Sequence, residues 1–136
     1  MAASATGAQP AHAGTNAGVL LVDGHVHLYA CHSAGRFFDR AHANFERAAR
    51  ALGCDPATTR RCLLLVETRV DAAFAALERS ATRSVPLDGE ARGWRACATA
   101  EPEVLELRRA DGATLLVVAG YQIETRERLE LHALGT

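Results

Sequence analysis

The chain contains no lysine. All fifteen of its basic residues are arginine, which excludes Schiff-base chemistry, a carbamylated-lysine metal bridge and a lysine general base. Aromatic residues are scarce, at 5% of 136 residues with a single tryptophan, so the core must be largely aliphatic and alanine-rich. No apolar run approaches the ~18 residues needed to cross a bilayer as a helix. Neither sign of charge dominates. The formal net charge is -1, and there is no electrostatic footprint for nucleic acid or an anionic membrane. The four cysteines, Cys31, Cys54, Cys62 and Cys97, lack any CxxC spacing. Without secretory context they point to a reduced, cytoplasmic compartment. There is no GxSxG elbow and no phosphate-cradling glycine loop. Cysteine and histidine meet in sequence only at Cys31-His32, which alone cannot supply a nucleophile and its base.

What remains suffices for one domain, with 49% hydrophobic residues over 136 positions. Residues 1–18, rich in Ala, Gly and Thr, lack apolar periodicity and read as a disordered leader. They have neither the basic start nor the apolar stretch of a secretory signal. The domain is expected over residues 19–136.

Its most informative stretch is VLLVDGHVHLY, Val19 to Tyr29, where an apolar run ends in Asp23, His25 and His27 at alternate positions. Strand side chains alternate between faces, so the three are expected to project together while Leu21 and Val22 continue into the core. Two imidazoles at i and i+2 can hold one divalent ion from the same side. Asp23 is either a ligand or orienting group, or a turn residue before Gly24. The bland reading of the segment is a polar strand end with two hydrogen-bonded histidines.

Helical spacing of Phe38, Ala41, Phe45, Ala49 and Leu52, with Gly53 as a stop, predicts a helix over about residues 35–52. The run RCLLLV, residues 61–66, predicts a strand covered on both faces. Val70, Phe74, Leu77 and Ala81 predict a second amphipathic helix. A strand is expected over residues 94–99. The segment EVLELRRADGATLLVVAG reads as a hairpin about Asp111-Gly112. YQIET and RLELHALG read as a further pair of strands, turning near Arg126 and Glu127. The expected fold is therefore α/β, with a parallel βαβα first half and a hairpin-rich C-terminal third. Cys62 is expected to be a small buried hydrophobe. Asp39 and His42 read as a surface pair on the first helix, and His32 as a solvated loop residue or an additional ligand.

Three segments, in order, resemble the PHP (polymerase and histidinol phosphatase) domain, a relative of the amidohydrolase-like metal hydrolases. DGHVHLY resembles its opening strand ending in DxHxH. CLLLVETRVDAAFAAL occupies the place of its strand ending in TDH before a helix. AGYQIETRERLELHALGT is similar to its PGIEIS segment followed by a strand carrying HxLG. The resemblance implies a distorted (β/α) barrel holding divalent metal, zinc or manganese, at the carboxyl ends of its strands, and hydrolysis of small phosphate esters. By position, His25 and His27 match the HxH ligands and His132 the later histidine. Gln122 stands where the family has a metal-ligating glutamate, and Glu67-Thr68 where it has Asp-His. Glu67, at the end of a buried strand, is the candidate ligand or base. Because Gln122 is neutral, an alternative function is a non-catalytic metal-binding or accessory module.

A complete (β/α) barrel takes roughly 200 residues or more, so a partial barrel or open sheet is expected. An open sheet leaves edges to be covered. A homodimer or a partner protein pairing with the last strand, Leu129 to Leu134, is the corresponding expectation.

Overall fold

The computed structural model describes residues 18–134 except Arg69, Asp71 and Arg92. The expected leader, up to residue 17, lies outside them. The order of elements is β1 (Leu20–Val26), α1 (Ala34–Ala51), β2 (Arg60–Glu67), α2 (Ala73–Arg83), a 3-10 turn (Leu87–Gly89), β3 (Arg95–Ala98), β4 (Val104–Arg108), β5 (Thr114–Glu124) and β6 (Glu130–Leu134). One open, mixed sheet runs β1-β2-β5-β4-β3, with β6 paired to β5. The pairs β1/β2 and β2/β5 are parallel, whereas β3/β4, β4/β5 and β5/β6 are antiparallel. The parallel first half and the hairpin-rich last third thus match the periodicities of the sequence.

Local chemistry sets the helix boundaries. Ser33 caps α1, its Oγ accepting from the N–H of Arg36 at 3.3 Å. Asp88 reinforces that end from 53 residues away, its carboxylate accepting from the Gly35 N–H at 2.6 Å and the Ser33 hydroxyl at 2.7 Å. The Ser33 hydrogen bond, with those from the backbone, holds the Asp88 carboxyl below its usual range. At the far end Gly53 adopts φ +70°. The N–H of Cys54 then reaches the carbonyl of Ala49, and that of Gly53 the carbonyl of Arg50, which is a Schellman stop.

The second helix begins later than its apolar spacing suggests. Val70 is exposed and precedes it, and Ala72 offers no side-chain cap. Glu67 supplies the missing acceptor, its Oε1 taking the N–H of Phe74. The helix starts where that carboxylate can reach.

Phe38 and Phe45 of α1 and Phe74 and Leu77 of α2 share one core with Leu63, Leu65, Leu105, Leu107, Leu115, Val117 and Trp94. Burial of each large apolar side chain contributes about 1.5–3 kcal/mol. The sheet residues in this set alternate along β2, β4 and β5. Leu64, Leu116 and Val118, at intervening positions, are only partly buried. Cys62 is buried as expected, and burial raises its thiol pKa.

The C-terminal strands depart from the expectation in one respect. Rather than breaking at Gly120 into a further pair, the chain continues as one eleven-residue strand, β5. Its first half pairs with β4 and its last five residues with β6. Gly120 sits where a Cβ would stand 2.8 Å from Leu134 Cδ2, so its bare backbone lets β6 lie close. Leu129 falls just before β6.

Candidate functional site

His25, near the end of β1, and His27, just past it, are aimed by an irregularity that the sequence does not announce. Asp23 pairs with Leu63 and Val26 with Leu65, so three steps on β1 match two on β2. A bulge of this kind inserts one residue and reverses which positions face which side. Before it, Leu21 packs against the core; after it, Val26 and Leu28 do. Asp23 consequently lines a cleft beside α1 together with Val26 and Leu63. His25 and His27 alternate with Val26 and Leu28, and so project to the other face. The expectation that Asp23 shares a face with the two histidines is corrected by this bulge.

His25 and His27 remain together, their Nε2 atoms 2.8 Å apart. One ring donates and the other accepts, so the contact needs at least one neutral imidazole. His132 joins them from β6, its ring centroid 4.2 Å from that of His25 and nearly perpendicular. Tyr29 stacks on His27 at 5.7 Å, and His32 meets the edge of Tyr29 at 5.9 Å. Gln122 lies directly across the hairpin from His132, so their side chains share a face. Three segments separated by more than a hundred residues at their furthest thus meet at the carboxyl ends of the parallel strands, where open α/β sheets carry their sites.

Two atoms of this cluster are orphans. His27 Nδ1 and Gln122 Oε1 are buried without a hydrogen-bond partner. Each such atom costs roughly 1–3 kcal/mol. A metal-bound histidine almost always passes its other ring N–H to an acceptor, and His27 has none. With Nε2 in contact with His25, Nδ1 is the ring nitrogen of His27 left without a partner.

No group of three or more His, Cys, Asp or Glu side chains among the described residues has the arrangement of a metal site. The distances say why. Two nitrogens on a tetrahedral ion, with bonds of ~2.0–2.1 Å, stand about 3.3 Å apart. The His25–His27 contact is that of a hydrogen bond and must open by roughly half an ångström to admit an ion. The donor set is also neutral, imidazole nitrogens and one amide oxygen, which suits a borderline transition ion better than a hard one.

Carboxylates are placed elsewhere. Glu67 caps α2, on the helix-covered side with Phe74 and Glu78, the side that strand alternation gives it together with Leu63 and Leu65. Glu124 and Glu130 face each other at the tip of the β5–β6 hairpin, and neither forms an ion pair with a described residue.

A second polar assembly, missed in the sequence, occupies the opposite end of the sheet. Asp39 accepts from the indole N–H of Trp94 at 2.9 Å and from Arg109 at 2.6 Å. Arg109 also grips Asp111 through two hydrogen bonds and lies 5.0 Å over the Trp94 ring. Asp111 is held down to about 2, chiefly by the Arg109 hydrogen bonds. Buried Arg61 reaches Glu46 at 3.0 Å and the carbonyls of Thr59 and Pro56, leaving its Nε unpartnered. Burial, then the Arg61 charge, lowers the pKa of His42. Asp39 is exposed, as a surface residue of the first helix should be, but it and His42 are joined through Trp94 and do not contact each other as a pair. Only the lone tryptophan, which needs a partner for its N–H when buried, signalled it.

Comparison with family models, with curated proteins and with solved structures yields no match.

Proposed function

We propose that this chain is a metal-binding domain of the PHP type, its sheet an open remnant of that (β/α) barrel, in which His25, His27 and His132 take one transition-metal ion beside Gln122. The observation that carries the reading is the gathering of these four positions with two buried, unpartnered polar atoms, His27 Nδ1 and Gln122 Oε1. The positions drawn together are those that the resemblance singled out. When bound, the ion would supply Lewis acidity and a water of lowered pKa. The chain's own part is to hold the imidazoles and to shield them from one side with Tyr29.

Binding, rather than turnover, is the activity proposed. Phosphate-ester hydrolysis rests on the resemblance alone, and the candidate base Glu67 is engaged in capping α2. Asp23 lies beyond the bulge. The four cysteines are free, in keeping with a proposed cytoplasmic setting. No helix among the described residues is long and apolar enough to cross a membrane.

Elemental analysis of the full chain, purified without chelator and then offered zinc or manganese, tests the proposal. The wild type should retain about one ion per chain, and His25→Ala/His27→Ala close to none, with unchanged circular dichroism. Equal, near-zero metal in both proteins overturns it.

A further inference from the structure

The cleft beside α1 has chemistry of its own. It measures about 620 Å³, within the range of small-molecule sites. Its walls are the apolar side chains of Val26, Phe37, Phe45 and Leu63, and its rim carries Arg36, Arg40 and Asn44. The spacing explains the grouping. Positions 37, 41 and 45 recur every four residues along α1 and pack toward the sheet, and the adjoining row 36, 40 and 44 flanks them at the exposed rim.

The arginines break local rules. Arg36 stands in the first turn of α1, which contains no acidic residue, and the helix dipole disfavours a cation there. Arg40 follows at i+4, a like-charge spacing that is itself destabilising. Neither forms an ion pair with a described residue. Departures from local preference concentrate where a sequence serves a ligand. Asp23, which precedes the bulge and keeps the face of Leu21, is the one carboxylate among the described residues that lines the cleft.

We infer that this cleft binds an amphipathic organic anion, its carboxylate or phosphate head held by Arg36 and Arg40 and its aliphatic or aromatic body lying on Phe37, Phe45 and Val26. The site lies on the opposite face of the sheet from His25, His27 and His132, none of which lines it, with Cys31 and His32 at its edge. Arginine forks suit an oxyanion head, and the apolar floor selects against a bare ion. Asp23 opposes the negative charge and tunes the site toward weak, reversible binding.

Calorimetric titration of the full chain with decanoate, in buffer containing a chelator, is the test. Arg36→Gln/Arg40→Gln should weaken decanoate at least tenfold, and Asp23→Asn should tighten it about twofold. Decyltrimethylammonium and inorganic phosphate should each bind the wild type at least tenfold more weakly than decanoate. Asn44→Trp, at an exposed helix position, should block the cleft while leaving the circular dichroism spectrum intact. Decanol binding as tightly as decanoate, no decanoate binding below millimolar concentrations, or an affinity unmoved by the arginine substitutions would each overturn the inference.

Discussion

The two ends of the sheet solve the problem of polar groups in different ways. At the amino end of β2, Asp39, Arg109, Asp111 and Trp94 satisfy one another through hydrogen bonds, two ion pairs and a stacked guanidinium. At the carboxyl end, His25, His27, His132 and Gln122 crowd together with one mutual hydrogen bond and two buried orphans. A closed network rigidifies and stabilises a fold, whereas an unsatisfied cluster is a cost that persists where something else completes it. Stability and binding are thus expected to separate between the two ends. Arg61, with its unpartnered Nε, is the exception at the amino end, although each of its other two nitrogens has a partner.

The largest effect that would break this contrast is at Trp94, which is completely buried. Trp94→Ala should cost about 3–5 kcal/mol, from lost packing and the cavity left behind. His27→Ala should cost less than about 1 kcal/mol, because it deletes an unsatisfied group. Urea unfolding followed by circular dichroism measures both, and equal losses would erase the distinction.

A smaller effect sharpens the carboxyl end. Gln122→Glu places a charged oxygen where the neutral amide stands, and should tighten zinc about tenfold, equal to about 1.4 kcal/mol. Competition with a colorimetric chelator measures it. An unchanged affinity would remove Gln122 from the site.

The smallest concerns pH and the amino end. Burial and the Arg61 charge depress the folded-state pKa of His42 below its ordinary 6.5, against opposing pulls from Glu46 and Asp111. Below about pH 6.5 the unfolded chain takes up a proton that the folded chain resists. This contribution is therefore full above 6.5 and is lost as pH falls toward the lower, folded value. His42→Gln should flatten the stability profile between about pH 7 and 5 by under 1 kcal/mol. Urea midpoints at three pH values measure it, and parallel profiles for the two proteins would show that His42 does not couple to folding.

Read from the chain alone, the helical periodicity of Phe38, Phe45 and Ala49, the continuous apolar run of residues 61–66 and the Asp111-Gly112 turn already determine α1, β2 and the β4–β5 hairpin. In each case the signal lies within one element, where residue spacing and steric preference act directly. The pairing of His25 with His27 was legible for the same reason, since residues two apart in extended chain share a face wherever that chain goes.

Only the tertiary structure decided the rest. The bulge after Asp23 depends on register against β2 and not on the composition of β1, and it separates a carboxylate from the histidines two residues away. Glu67 became the cap of α2 because Ala72 offers no side-chain acceptor there, a fact that exists only once strand and helix are packed. Asp39 met Arg109 across seventy residues, and His132 met His25 when β5 ran on past Gly120 and β6 folded back along it. Spacing along a chain encodes which side chains share an element's face. Which faces then meet is set by strand order and register, and these follow from burying the whole core at once.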